Sequence, residues 1–180
     1  MDNMSKIKKV SKLCYILLLG ILILVPLYYI FYWLFINSLS ESFVNINIEP
    51  VPETQHILSP KLQIIGFISS LLPLSALMYG LIYTRKLFEF FKDGVVFALE
   101  QVILFKKISK ALVFWVIFSI VYEGIKSVIF SFNNPVGERV LSLGLSSSQV
   151  GILFISIIIL VIAWIMDEGR IINEENKLTV

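Results

Sequence analysis

One carboxylate stands out by its surroundings. Glu123 lies within an apolar stretch, residues 108–132, about fifteen residues from its start, or roughly 22 Å at helical rise. A charge that deep in a hydrocarbon-like medium is costly and is by default a functional group, here an ion or proton site or a sensor of outer conditions. Ser119, Lys126 and Ser127 stand at i−4, i+3 and i+4 from it and share its helix face. A structural reading competes: Glu123 pairs with Lys126 near the outer interface and orients the helix. A proton-coupled transporter would need more buried polar groups, and the other apolar stretches offer few beyond Ser69, Ser70, Ser75 and tyrosines.

Other chemistry is sparse. There is no Gly-x-x-x-x-Gly-Lys-Ser/Thr loop, Gly-x-Gly-x-x-Gly, His-Glu-x-x-His or Gly-x-Ser-x-Gly. The one histidine, His56, has no metal-ligating motif around it and reads as a surface or packing residue. The one cysteine, Cys14, cannot form a disulfide within the chain and reads as a membrane-facing thiol. We therefore expect no catalytic residue, no metal and no cofactor, and a protein that is not an enzyme.

The elements that must position Glu123 are membrane spans. Of 180 residues, 57% are hydrophobic and 16% charged, and mean hydropathy is +0.87. A soluble domain carries about 25% charged residues. The net charge of +2 comes without a basic stripe, so direct nucleic-acid binding is not expected. Crossing about 30 Å of hydrocarbon takes roughly 20 apolar residues. Residues 13–36, 62–83, 108–132 and 150–166 meet or nearly meet that length, within a single domain spanning 1–180. The first follows Lys6, Lys8, Lys9 and Lys12 as a signal peptide would. Its apolar run is too long for one and no cleavage site follows, so it reads as a retained helix. Pro26 and Pro73 predict kinks.

Lysine and arginine set the orientation. Four precede the first span, six lie between the second and third (Arg85, Lys86, Lys92, Lys106, Lys107, Lys110), and Arg170 and Lys177 follow the fourth. The two remaining loops hold only Lys61 and Arg139. Both termini and the middle loop are expected in the cytoplasm.

Outside the bilayer, two segments alternate with strand periodicity: Val44, Ile46 and Ile48, and Leu141, Leu143 and Leu145. They predict a small β-sheet in the outer loops. Residues 84–107 place Leu87, Phe88, Phe91, Leu99, Val102 and Ile103 at helical spacing around Gly94, so the second and third helices are expected to extend into a cytoplasmic hairpin. The competing reading is an amphipathic helix on the inner membrane face. The tail, 167–180, is polar and acidic, either a frayed end or a short recognition element.

Two segments together resemble a known family. One is Leu87-Phe88-Glu89-Phe90-Phe91-Lys92-Asp93-Gly94-Val95-Val96-Phe97, running into Ile103-Leu104-Phe105-Lys106-Lys107-Ile108. The other is Gly169-Arg170-Ile171-Ile172-Asn173-Glu174-Glu175-Asn176-Lys177-Leu178-Thr179-Val180. The chain is similar to the bacterial membrane-protein family catalogued as domain of unknown function 2975 (DUF2975). That resemblance implies an all-α four-helix bundle in the bacterial inner membrane, and no established activity. It departs at Ala98, where members often carry a hydroxyl, and at Lys177, where an acidic residue is common. Members are often encoded beside a helix-turn-helix regulator, which implies a membrane-bound partner for a DNA-binding protein.

Two functions follow. The first is a non-enzymatic membrane module that binds a cytoplasmic partner through Phe91, Gly94 and Phe97 of the hairpin and Glu174, Glu175 and Leu178 of the tail. The alternative is a small transporter or channel component built on Glu123, Lys126 and Ser119. It would be a homo-oligomer, because four helices alone make a narrow path.

Overall fold

A computed structural model describes residues 3–39, 57–96, 98–135 and 137–178. At 173, 174 and 176–178 only the backbone is described. Four helices follow in order: α1 (Asn3–Leu34), α2 (Pro60–Asp93), α3 (Leu99–Ser131) and α4 (Ser147–Leu178). All four are long and apolar enough to cross a membrane. At 32 to 34 residues each measures about 50 Å, so each also projects beyond the hydrocarbon. The architecture is that of a multi-pass membrane protein. The start of α1 and the end of α4 lie at the end where α2 turns into α3; we call this the basic end, because twelve of the fifteen lysines and arginines belong to it.

Packing follows chain order: α1 on α2, α2 on α3, α3 on α4. α3 carries the most buried residues among those described, whereas α1 turns leucines and isoleucines outward along most of its length, as a lipid-facing helix does. The seams use small residues, which let helix backbones approach. Ser109 of α3 donates to the carbonyl of Ser156 on α4 at 2.8 Å. Gly66 of α2 lies under the Trp33 ring of α1, which is 2% exposed, and a Cβ at Gly66 would collide with that ring. Trp33 belongs to a core with Tyr32, Ile36, Leu58, Tyr122 and Ile129 at the end opposite the basic one. Asn37 clamps α1 to the start of α2, its amide accepting from the Leu58 N–H and donating to the Leu58 carbonyl, both at 3.0 Å.

Helix ends are settled locally. Ser59 caps α2, with Pro60 at its first position. α2 stops at Gly94, whose φ of 80° is left-handed; its N–H reaches the Phe91 carbonyl and that of Val95 the Phe90 carbonyl. α3 opens on Ala98 without a hydroxyl cap, and Gln101 compensates. Fully buried, it accepts from the Ala98 N–H at 3.0 Å and donates to the Val95 carbonyl at 2.7 Å. Leu87 on α2 and Leu104 and Ile108 on α3 then form an apolar core at the basic end, with Phe91, Phe105 and Ile159 against it. α4 remains helical through Leu178, so the polar tail is an extension of the span and not a frayed end. Pro26 and Pro73 sit inside continuous helices.

The expected outer sheet is corrected. Among the described residues there is no strand. Val44, Ile46 and Ile48 lie outside them, and 140–145 is extended but bonds to α3 instead of to a second strand.

Two substitutions test this packing. Gly66→Ala should lower thermal stability in detergent micelles by about 1–3 kcal/mol through overpacking against Trp33. Gln101→Leu should cost about 1 kcal/mol by removing its part-buried bonds to the Ala98 N–H and the Val95 carbonyl. Circular dichroism melts read both.

Candidate functional site: a polar cavity behind a re-entrant segment

The half of α3 farthest from the basic end carries small or hydroxyl residues at Gly124, Ser127 and Ser131, a stripe with i, i+3, i+7 spacing. Residues 138–146 run back along it. The Val140 N–H donates to Ser131 Oγ at 3.0 Å, and that hydroxyl lies 3.2 Å from the Val140 carbonyl. The Ser142 N–H donates to Ser127 Oγ at 2.9 Å. Leu143 then reaches Gly124, where an added Cβ would come within 2.5 Å of its Cδ2. Two helical turns, about 10 Å, separate Ser131 from Gly124 on α3. The connection therefore folds back along α3 over that distance before α4 begins.

Extended backbone at membrane depth persists only where protein or a polar cavity satisfies its hydrogen bonds. Here serine hydroxyls supply the partners, while Leu141 and Leu143 reach Gly124 and, like Leu145, remain mostly exposed. α4 opens with a reciprocal cap: Gln149 Oε1 accepts from the Ser146 N–H at 2.8 Å, and Ser146 Oγ from the Gln149 N–H at 3.3 Å.

The re-entrant segment encloses a cavity of about 520 Å³ against α1, α2 and α3. Glu123, Lys126, Ser119 and Ser127 line it from α3, Ser142 and Ser146 from the segment, Ser148 and Gln149 from α4, and Tyr29 from α1. Lys126 Nζ is 3.5 Å from Glu123 Oε2; the lysine side chain is 8% exposed and the glutamate 35%. The carboxylate is thus the accessible partner. Trp115 also lines the cavity, and its indole N–H is buried with no acceptor among the described residues. The wall therefore offers a carboxylate, a largely sheltered cation and several hydroxyls.

The structure brings Glu123, Lys126 and Ser119 together, as their helical spacing requires. The groups read as a partner surface sit elsewhere. Phe91 packs against Phe105 and Phe88 within the hairpin, Gly94 is the helix stop, and Phe97 lies outside the described residues. Glu174, Glu175 and Leu178 are on the last turns of α4; Glu175 is exposed. His56 lies outside the described residues, Cys14 is half-buried on α1, and no group of metal-ligating side chains forms among the described residues. Sequence reasoning missed Trp115, Ser142, Ser146, Ser148 and Gln149. Two signals pointed to the last four: the Ser-x-x-Gln pattern at 146–149 and the small-residue stripe on α3.

Replacing Ser127 and Ser131 together by alanine should release the segment. Hydrogen exchange at the Val140 and Ser142 amides should rise at least tenfold, since each loses a bond whose absence costs about 1–3 kcal/mol. Exchange at Ala98 and Gln101 should stay unchanged.

Comparison with curated proteins finds no match, and comparison with solved structures finds none. The profile of the family described as "Protein of unknown function (DUF2975)" matches residues 48–180. That stretch holds α2, α3, the re-entrant segment and α4, while α1 precedes it. With most of its length matched, including every α3 and α4 residue that lines the cavity, the chain belongs to the DUF2975 family.

Proposed function

We propose that this chain is a non-enzymatic membrane receptor module that binds a small polar ligand in the cavity and presents its state to a cytoplasmic partner at the basic end. The cavity carries this reading. Its volume falls within the range of small-ligand pockets, about 300–1,000 Å³, and its wall is polar inside an apolar helix layer. Glu123, Lys126 and the serine hydroxyls suit a ligand with both a cationic group and acceptor oxygens, such as a zwitterionic amino acid. Ser127 and Ser131 donate their hydroxyl protons to the carbonyls of Gly124 and Ser127, which supports binding over nucleophilic chemistry.

The positive-inside rule supports a cytoplasmic basic end, and hence a cavity that opens on the outer side of the bacterial inner membrane. α3 runs unbroken from Glu123 to Gln101, and Lys106 near its basic end pairs with Asp167 of α4 at 3.5 Å. A shift of α3 on ligand binding would thus be felt by the α2–α3 hairpin and the α4 extension. A helix-turn-helix regulator is the partner this reading names. The transporter reading is weaker because the apolar core of Leu87, Leu104 and Ile108 stands between the cavity and the basic end.

The test uses the full chain in nanodiscs and a panel of the twenty amino acids. At about 100 times its Kd, a ligand should raise stability by about 2.7 kcal/mol. Glu123→Gln and Lys126→Gln should each abolish the gain, and truncation after Ile172 should keep it. Cross-linking in native membranes should capture a DNA-binding regulator with the full chain and lose it on that truncation. A panel without effect, or a gain that survives both cavity variants, overturns the ligand reading; transmembrane flux of the bound solute would replace it with transport.

A further inference from the structure

A second cluster of polar side chains lies far from the cavity, on the α1–α2 seam at the basic end. The two helices run antiparallel, so Lys8, Lys12 and Tyr15, at i, i+4 and i+7 on α1, face Arg85 and Lys92, at i and i+7 on α2. The Arg85 guanidinium lies over the Tyr15 ring at 4.2 Å from its centroid and donates to the Tyr15 hydroxyl at 2.6 Å. Lys92 Nζ sits 4.8 Å from the same centroid. One aromatic ring thus holds two cations within about 9 Å of each other. The Lys8 side chain covers Gly94, where a Cβ would collide with it.

The charge balance is incomplete. Lys92 has a loose pair with the exposed Asp93, at 3.7 Å. Arg85 has no carboxylate partner among the described residues, and its Nε–H is buried without an acceptor. Glu89 shares the α2 stripe with Arg85 and Lys92 but is exposed and pairs with neither. Two cations fixed on one ring repel each other, and an anion placed between them would remove that cost. The site also has a definite depth. Tyr15 and Arg85 stand two residues inside and two residues beyond the apolar runs 13–36 and 62–83, which is headgroup level. A guanidinium fork suits a phosphate, and basic pockets between helices at that level recognise acidic headgroups.

We infer that the Tyr15–Arg85–Lys92 seam binds an anionic phosphate, supplied by the phosphodiester headgroup of an acidic phospholipid in the adjoining leaflet. Tyr15 acts as the positioning residue: its ring orders both cations and its hydroxyl fixes the guanidinium. Lys8 and Lys12 extend the positive surface along α1 for the remaining headgroup oxygens.

Native mass spectrometry of the full chain from detergent micelles tests this, with phosphatidylglycerol and phosphatidylcholine of identical acyl chains as probes. Phosphatidylglycerol should bind roughly tenfold more tightly. The Arg85→Gln/Lys92→Gln double variant should bring the two lipids within about twofold, Arg85→Lys should fall between, and Glu89→Gln should strengthen the preference. Because the double variant removes groups from a packed seam, exposed Lys8→Gln/Lys12→Gln is read beside it and should weaken phosphatidylglycerol binding without lowering the melting temperature. Glycerol 3-phosphate is the competing probe: displacement of the lipid at millimolar concentration would assign the seam to a soluble phosphate and overturn the lipid source. Equal affinity for the two lipids, or full preference in both double variants, overturns the site.

Discussion

Inside hydrocarbon a backbone N–H or carbonyl without a partner costs several kcal/mol, and this constraint shapes the whole molecule. Four long helices meet it with their own ladders. The connection between α3 and α4 does not form a helix, yet it folds back along α3 for about two turns. It is held there because Ser127 and Ser131 lend their hydroxyls to the backbone of Ser142 and Val140. The same two hydroxyls also donate to carbonyls within α3, so each links helix to segment. The non-helical connection at 138–146 leaves space beside α3, and that space is polar because the groups that satisfy the segment are polar.

α3 is the member on which the rest of the architecture depends. It meets α2 on one side and α4 on another, and its far half builds the cavity. Small residues recur wherever its neighbours come close: Ser109 toward Ser156, Ala111 toward Gly80, Gly124 toward Leu143. Without a hydrophobic drive between helices in lipid, such close approach and the hydrogen bonds it permits supply the attraction. The apolar outer faces of α1 and α4 need no further explanation in this setting, since lipid covers them. The ion pairs fall into two kinds. Glu123–Lys126 sits deep with the lysine sheltered, whereas Lys106–Asp167–Arg170 lies on the surface of the basic end and joins α3 to α4.

The departure at Ala98 shows how a local rule can be met from elsewhere. A hydroxyl at that position would cap α3 directly. Gln101, one turn on, reaches back to the same N–H and forward to the Val95 carbonyl, so the turn keeps its geometry. The Phe91 and Gly94 pattern that carried the family resemblance serves the same turn: Gly94 takes the left-handed backbone and Phe91 packs on Phe105. These motif residues build the hairpin.

The sequence by itself determined the four spans, the concentration of cations at one end, the turn at Gly94 and the shared face of Ser119, Glu123 and Lys126. Each of these is a short-range property: apolar length, charge placement, glycine φ and helical period act within a few residues. The alternation of Leu141, Leu143 and Leu145 was legible as extended backbone for the same reason. Its partner was not. A bare strand presents identical unpaired groups to a neighbouring strand or to serine hydroxyls on a helix, and only the packing of α3 against α4 selected the second. The cavity likewise joins Tyr29, Trp115, Ser142 and Gln149 across more than a hundred residues of chain. Tyr15 with Arg85 and Lys92 is the same case on the α1–α2 seam. Such juxtapositions depend on helix register and on the depth to which a connection folds back, and the three-dimensional packing decided both.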